Sequence, residues 1–212
     1  MDLKELYLNE MKETGYNEEN ISDFHKFIIP YLFKINNIEK NSRIIDIGAA
    51  EGHCCLTAKS NGFENLGVVD YVDYNFEKFK EKKIDCYNAD ITKDNLPFDD
   101  DSIDLFLFFH TIEHIFDPNL IISEMKRCLK KNGKMILATP NWAKQIKTFN
   151  EDPTHIRPYI KSGLDRLMRI HQWDEIKVES FGSGFGFSRL KLYRYLPKLA
   201  FIGKDILVTC KK

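Results

Sequence analysis

The chain has 212 residues, of which 43% are hydrophobic and 30% are charged. This length and composition suit one α/β domain with a sizeable core. The 31 Lys and Arg residues nearly balance the 32 Asp and Glu residues, which argues against a dedicated nucleic-acid-binding protein. Five scattered cysteines without a CxxC pair give no zinc signature and suit a reducing compartment. With a charged, amphipathic start and no apolar run of ~20 residues, we expect a cytoplasmic protein.

Apolar residues recur at spacings of three and four over residues 1–40, which predicts helices. After them, short β-branched runs alternate with helix-like stretches, and this alternation predicts a mostly parallel sheet with helical crossovers. The predicted strands are residues 43–47, 66–70, 85–89, 103–109, 134–138, 175–181 and 206–210. The predicted helices between the strands are residues 53–61, 76–82, 117–131 and 162–171, with residues 141–161 irregular. No linker or repeat interrupts this series, so we expect a single domain over residues 1–212.

The clearest functional signal is the turn DIGAAEG at residues 46–52, directly after the first predicted strand. A glycine-bounded turn that enters a helix lets the backbone approach a ligand and offers unpaired N–H groups. Its GxxxG spacing is neither the GxGxxG of dinucleotide sites nor a P-loop. Asp46 would repel a pyrophosphate but attract a ligand that carries an amino group and a sulfonium. Asp70, at the end of the second strand, is placed to accept hydrogen bonds from both ribose hydroxyls.

Together these residues resemble the class I S-adenosylmethionine-dependent methyltransferases over about residues 40–140. The resemblance depends on the DxGxxxG element (Asp46, Gly48 and Gly52) and on the blocks FDDDSIDLFLFFHTIEHIFDP and EMKRCLKKNGKMILATPN. It implies an α/β fold with a Rossmann-like, seven-stranded, mostly parallel sheet, a last strand that is antiparallel, and helices on both faces. There is one departure: Ala49-Ala50-Glu51 stands where the family more often has a GxGxG pattern.

The resemblance also implies S-adenosylmethionine as cofactor, with Asp90 at the adenine amino group and Ile91 against the ring. The methyl group would pass to an oxygen or nitrogen of a small molecule, sugar or lipid precursor, as in the branch that modifies quinones and glycans. The implied cofactor-binding set is Asp46, Gly48, Ala49, Gly52, Asp70, Tyr71, Asp90, Ile91 and His110. The implied division is a helical lid at 1–40, a cofactor-binding core at 41–140, and substrate-side insertions at 141–171 and 182–204.

Two polar clusters predict the acceptor side of the site. His110 is the first polar residue after the fourth strand, and His155 lies in the segment DPTHIRPY. A histidine that is neutral near pH 7 can accept a proton, so His155 is the first candidate for a general base and His110 the second. Arg157 would hold an anionic acceptor, and Tyr159 would complete the substrate set. Alternatively, these side chains only pin the loop through hydrogen bonds.

Other interpretations of the sequence remain open. The spacing of His110 and His114, with His155 elsewhere, suggests a metal site, but HEXXH is absent and we predict none. A nicotinamide-dependent oxidoreductase lacks its GxGxxG signature here, and a non-catalytic S-adenosylmethionine-binding protein would keep the pocket without transferring the methyl group. The basic-aromatic segment 185–204 suggests contact with a membrane surface or a lipid-linked acceptor, although we favour an amphipathic cover over the sheet. The expected partner is thus a small-molecule acceptor and not a nucleic acid.

Overall fold

The computed structural model describes residues 21–182 and 191–212. Within these ranges, one sheet has seven strands in the order β3-β2-β1-β4-β5-β7-β6. The strands are β1 (Ile44–Ile47), β2 (Leu66–Asp70), β3 (Asp85–Asn88), β4 (Ile103–Phe109), β5 (Leu129–Pro140), β6 (Asp174–Phe181) and β7 (Asp205–Lys211). The pairs formed among β1 to β5 are parallel, whereas β7 runs antiparallel to both β5 and β6. The predicted sheet is therefore confirmed, including its antiparallel last strand.

Helices cover both faces of this sheet, as the resemblance implied. The helices are α1 (Asp23–Ile35), α2 (His53–Ser60), α3 (Phe76–Glu81), α4 (Asn119–Cys128), α5 (Trp142–Gln145) and α6 (Lys161–Ile170). Because side chains alternate along a strand, β4 contributes side chains to the helix layers on both faces of the sheet. Leu105 and Leu107 pack with α1, α2 and α3, whereas Phe106 and Phe108 pack with α4 and α6. Both layers are almost fully buried, as expected for a central parallel strand.

The strand order places a ligand site at one edge of the sheet. The chain runs outward from β1 to β3, then returns to the other side of β1 as β4. Ligands of open α/β sheets bind beside the carboxyl ends of the strands where the order reverses in this way. The loops after β1 and β4 therefore face the same crevice.

One helix boundary was predicted wrongly. The pattern predicted a helix as far as residue 131, but α4 ends at Cys128 because Leu129 is buried and pairs with Ile103 at the start of β4. Asn132 then adopts a left-handed backbone conformation with φ of 69°, which turns the chain into the main part of β5. Residues 141–161 are less irregular than predicted, since they contain α5 and a short 3-10 turn at Phe149–Glu151.

The N-terminal helix α1 is part of the packed fold. Ile28, Ile29, Leu32 and Phe33 of α1 are buried in the cluster that also holds α2 and the sheet. The remainder of the predicted lid, residues 1–20, and part of the predicted 182–204 insertion, residues 183–190, lie outside the described residues. In the part of the chain that is described, no helix has the length and apolar character needed to cross a bilayer.

Candidate functional site

The turn after β1 contains three residues in left-handed backbone conformation. Gly48, Ala50 and Gly52 have φ values of 66°, 48° and 71°. This conformation is easy for glycine but costs alanine roughly 1 kcal/mol or more. Ala50 is held there by two contacts: its N–H donates to Asp70 Oδ2 at 2.9 Å, and its carbonyl accepts from Asn75 Nδ2 at 3.0 Å. The alanine that departs from the family pattern therefore still adopts a glycine-like conformation.

The two glycines of the turn allow close packing on either side. A Cβ atom on Gly48 would lie 2.3 Å from Thr111 Cγ2, on the segment that leaves β4. Thr111 is itself held by a 2.9 Å hydrogen bond from its hydroxyl to the Phe109 carbonyl. A Cβ atom on Gly52 would lie 2.4 Å from Phe79 Cε1, in α3. Gly48 thus joins the turn to β4, and Gly52 joins α2 to α3.

The structure brings five of the predicted cofactor residues to one cavity at this edge of the sheet. They are Gly48, Asp70, Tyr71, Asp90 and Ile91. In the parts of the chain that are described, the lining does not include the other four predicted cofactor residues, Asp46, Ala49, Gly52 and His110. Asp70 and Asp90 supply the two carboxylates of this lining within the described residues.

Two backbone donors orient the Asp70 carboxylate. Its Oδ2 accepts from the Ala50 N–H and its Oδ1 from the Val72 N–H, both at 2.9 Å, and the residue is only 6% exposed. These bonds hold the carboxylate at the cavity that it lines.

Asp90 is oriented by its own turn. Its Oδ1 accepts from the backbone N–H and the hydroxyl of Thr92, at 3.0 and 2.6 Å, and its Oδ2 lies 2.9 Å from Lys93 Nζ. Burial acts to raise the pKa of Asp90, but these hydrogen bonds and the Lys93 charge hold the pKa below its ordinary value. Asp90 therefore remains an ionised acceptor at neutral pH, next to the apolar Ile91.

The segments that follow β4 and β5 also line this cavity. They contribute Thr111, His114, Ile115, Thr154 and Ile156. Backbone hydrogen bonds of 3.0 Å from Ile156 and Arg157 to the Glu113 carbonyl join these two segments. Thr111 and Thr154 were missed by sequence reasoning, although Thr111 is signalled by its place just beyond a strand end, where parallel-sheet ligands bind.

The two predicted catalytic histidines meet at a third residue, Glu113. This glutamate is fully buried, and its Oε2 accepts from the Thr139 hydroxyl at 2.9 Å. Its Oε1 lies 3.5 Å from His110 Nδ1 and 4.0 Å from His155 Nε2. Burial acts to raise the pKa of Glu113, but His110 and His114 lower the pKa below its ordinary value. Loss of solvation acts to lower the pKa of His110, whose side chain is 43% accessible, but the contact with the Glu113 carboxylate and its charge raise this pKa above its ordinary value.

His155 is held in one orientation by the loop around it. Its Nδ1 lies 2.8 Å from the Phe149 carbonyl, which can only accept, so Nδ1 carries the hydrogen. In the neutral ring, Nε2 is then the basic atom. This Nε2 lies 3.4 Å from Asp152 Oδ2, and Asp152 Oδ1 in turn accepts from the Thr154 N–H at 2.8 Å.

The two predicted substrate residues, Arg157 and Tyr159, lie away from this cavity lining. Arg157 donates to the Phe116 carbonyl and its guanidinium stacks 5.7 Å from the centre of the Tyr159 ring. Tyr159 is buried, its carbonyl accepts from the Trp142 N–H at 2.9 Å, and its hydroxyl has no hydrogen-bond partner within the described ranges. These contacts show how the two residues fix the loop, and their role toward a substrate stays a prediction.

A family model described as a methyltransferase domain matches residues 15–178. The chain belongs to the class I S-adenosylmethionine-dependent methyltransferases. It is 27% identical over 154 residues to the uncharacterized methyltransferase YcgJ of Bacillus subtilis, covering 66% of this chain and 60% of that protein. It is 23% identical over 159 residues to a demethylmenaquinone methyltransferase of Clavibacter sepedonicus, covering 73% and 56%. The chain thus spans less than two thirds of either relative.

The fold of the chain is also similar to that of a solved methyltransferase. The crystal structure of a SAM-dependent methyltransferase from Archaeoglobus fulgidus superimposes with a TM-score of 0.68 at 21% identity, covering 98% of this chain and 99% of that one. At this identity, the likeness concerns the fold. The residues present also fit the family's cofactor, since Gly48, Asp70 and Asp90, which occupy the motif positions, line one cavity.

Asp46, the first acid of the methyltransferase motif, lies beneath the turn. It is buried, and its Oδ2 accepts from the Cys55 N–H at 3.1 Å, in the first turn of α2. Burial raises the pKa of Asp46 to about 8. The described contact of Asp46 is therefore with α2. We propose that Asp46 acts by holding the turn at residues 46–52 in its conformation.

Replacing Asp46 with asparagine should flatten the pH dependence of stability. The folded pKa of about 8 lies above the ordinary 3.8, so between these values the folded state holds more protons. The free energy of unfolding therefore falls as pH rises through this window, by at most about 1.4 kcal/mol per pH unit from this site. Asparagine keeps an acceptor for the Cys55 N–H but does not titrate.

Urea unfolding at several pH values across this window checks the prediction. The advantage of the asparagine variant over the parent protein should grow with pH. Asp85→Asn is the matched control, because Asp85 is an exposed carboxylate on β3 whose side chain is 58% accessible. Parallel pH profiles for the parent protein and Asp46→Asn would contradict the raised pKa.

Proposed function

We propose that this protein transfers the methyl group of S-adenosylmethionine to an oxygen or nitrogen of a small-molecule acceptor. The observation that supports this most is a shared cavity. Five of the predicted cofactor residues line the same cavity as residues of the segments that follow β4 and β5. We assign the first group, the cofactor wall, to the methyl donor and the second group, the acceptor wall, to the acceptor. Nicotinamide chemistry has less support, because the turn lacks GxGxxG spacing.

In this proposal, each residue of the cofactor wall has a simple task. Asp70 accepts hydrogen bonds from the ribose hydroxyls, Asp90 accepts from the adenine amino group, and Ile91 packs on the adenine ring. Gly48 lets the backbone approach the ligand. When bound, S-adenosylmethionine supplies a methyl group already activated by its sulfonium. The rest of the site then has to align the acceptor and exclude water.

Proton removal from the acceptor is assigned to the histidines around Glu113. His155 is the first candidate base, since the Phe149 carbonyl fixes its tautomer and directs basicity to Nε2. His110, whose pKa is raised by Glu113, is the second candidate. A base whose pKa lies near the working pH speeds methyl transfer to a hydroxyl or a protonated amine.

The acceptor we favour is a small molecule with an apolar body. The acceptor wall includes Ile115 and Ile156, and the Clavibacter relative is named as a demethylmenaquinone methyltransferase. A membrane-bound acceptor has less support. Two cations of the basic segment, Lys191 and Arg194, are paired with Asp23 of α1, which favours the amphipathic cover.

Calorimetry separates the main alternatives. The protein should bind S-adenosylmethionine and S-adenosylhomocysteine at a ratio near one per chain, and NADH should give no saturable heat. Incubation with a panel of hydroxyl and amine acceptors should then release S-adenosylhomocysteine. Saturable NADH binding without S-adenosylmethionine binding would contradict the proposal. Tight cofactor binding with no release across the whole panel would favour a non-catalytic binding protein.

A further inference from the structure

Glu113, His114 and His155 form a cluster that the methyl-transfer scheme does not fully use. Each offers one potential ligand atom, and these atoms all lie within 4.8 Å of one another. Glu113 and His114 follow β4, whereas His155 comes from the loop after β5. The two segments are joined by backbone hydrogen bonds to the Glu113 carbonyl, so the fold itself brings the three residues together.

Both histidines are oriented in the way that metal ligands are oriented. His114 Nδ1 lies 3.1 Å from the Thr154 carbonyl, and His155 Nδ1 lies 2.8 Å from the Phe149 carbonyl. A metal-binding histidine almost always donates its second ring N–H to such an acceptor, because this fixes the tautomer and raises the basicity of the ligating nitrogen. In both rings the remaining nitrogen is Nε2.

The glutamate supplies a second and independent observation. Glu113 is fully buried, and its Oε1 has no hydrogen-bond partner among the residues that the structure describes. Taking a carboxylate out of water is costly unless it is paired or coordinates a metal. This oxygen lies 3.5 Å from His110 Nδ1 and 4.0 Å from His155 Nε2, so the carboxylate is within reach of His155 without a close hydrogen bond to either ring.

We propose that Glu113, His114 and His155 bind a divalent transition-metal ion of the zinc type. Two imidazole nitrogens and one carboxylate oxygen form a donor set found for zinc in enzymes with an open coordination position. Imidazole suits zinc, copper, iron and nickel, whereas magnesium and calcium prefer oxygen ligands alone. The ligands would have to draw together, since zinc bond lengths place neighbouring ligands roughly 3.4 Å apart. The sequence alone predicted no metal.

The position of this site links it to the acceptor. His114 also lines the cavity, so the ion would lie at the acceptor wall. Three protein ligands leave a position open for water or for an acceptor hydroxyl. A metal lowers the pKa of a water molecule or hydroxyl group bound to it. A metal-bound His155 Nε2 cannot accept a proton, so with the ion present His110 is the remaining candidate base. This role of the ion rests on the proposed function and favours a hydroxyl as acceptor, whereas metal binding itself does not depend on methyl transfer.

A different arrangement would satisfy the same glutamate. His110 Nδ1 lies 3.5 Å from Glu113 Oε1, and a protonated His110 would neutralise the carboxylate without any metal. In that case the cluster would be a hydrogen-bonded support for the two segments. The two possibilities differ in whether the protein binds a transition metal at a ratio of one per chain.

Cobalt titration of the chelator-treated full chain tests the proposal. Co²⁺ should bind once per chain with visible d–d absorption typical of nitrogen and oxygen ligands, and Zn²⁺ should displace it. Glu113→Gln, His114→Ala and His155→Ala should each weaken Co²⁺ binding by at least about tenfold, the lower limit for loss of even a supporting group. His171→Ala is the control, since His171 contacts Asn119 and Ser123 outside the cluster. This variant should bind Co²⁺ with the parent affinity.

Three results would overturn the proposal. They are absence of Co²⁺ binding by the parent protein, unchanged binding in any folded ligand variant, and absorption typical of cysteine thiolates. Circular dichroism identifies the variants that are folded, and any one folded ligand variant suffices because each should weaken binding alone. Calorimetry of S-adenosylmethionine without metal is run in parallel. Binding of S-adenosylmethionine without binding of Co²⁺ would contradict the metal site and leave the proposed function standing. Binding of Co²⁺ without binding of S-adenosylmethionine would contradict the proposed function and leave the metal site standing.

Discussion

Replacing Gly48 with alanine should weaken S-adenosylmethionine binding by about 10- to 100-fold, the range expected from an overpacking cost of about 1–3 kcal/mol. The added Cβ atom would lie 2.3 Å from Thr111 Cγ2 and 2.5 Å from its hydroxyl oxygen. Threonine is too short to swing away without losing its hydrogen bond to the Phe109 carbonyl. The turn would therefore have to move, and with it the backbone that lines the cavity. Calorimetric titration measures the change in Kd.

Gly62→Ala is the matched control for Gly48→Ala. Gly62 shares the left-handed conformation, with φ of 79°, but a Cβ atom there would have nothing within 4 Å. The control should lose roughly 1 kcal/mol of stability and keep the parent affinity. Adding Thr111→Ala to Gly48→Ala should recover part of the binding. Equal losses of affinity in the two glycine variants would show that backbone strain matters and not the collision.

The meeting of the candidate cofactor residues in one cavity could be predicted because it depends on strand ends. Parallel strands finish at the same edge of a sheet, so residues just after β1, β2 and β3 must converge there. Gly48, Asp70 and Asp90 occupy those positions and do line one cavity. The periodic pattern located these strands to within a few residues. The convergence of the three residues could be predicted from the strand ends with little use of the sheet order.

The acceptor side could be predicted only in part, because it depends on contacts between distant segments. His155 meets Glu113 since the loop after β5 is bonded to the Glu113 carbonyl. Nothing in the spacing of the sequence indicates which histidine nitrogen is occupied by the Phe149 carbonyl. Tyr159 shows the same limit, because nothing in the sequence indicates that its ring is buried in the core.

Asp70→Asn should weaken S-adenosylmethionine binding by about 10- to 100-fold, since hydrogen bonds to a charged group contribute about 1.5–3 kcal/mol. The Asp70 carboxylate accepts from two backbone donors, Ala50 and Val72. An asparagine has only one acceptor oxygen, so its NH₂ group would face one of these N–H groups. Both the orientation of the side chain and its capacity for ribose hydroxyls would then be lost. S-adenosylhomocysteine, which has the same ribose, should lose affinity equally.

A double-mutant cycle separates the ribose contact from general damage to the turn. An S-adenosylhomocysteine analogue without ribose hydroxyls should bind the parent protein more weakly than S-adenosylhomocysteine does. Asp70→Asn should bind the two compounds with similar affinity, because the partner of the hydroxyls has been removed. Asp85→Asn, which changes an exposed carboxylate that is paired with Arg43 at 2.7 Å, should retain the full difference. If Asp70→Asn also retained it, the ribose hydroxyls would have to be held by another group.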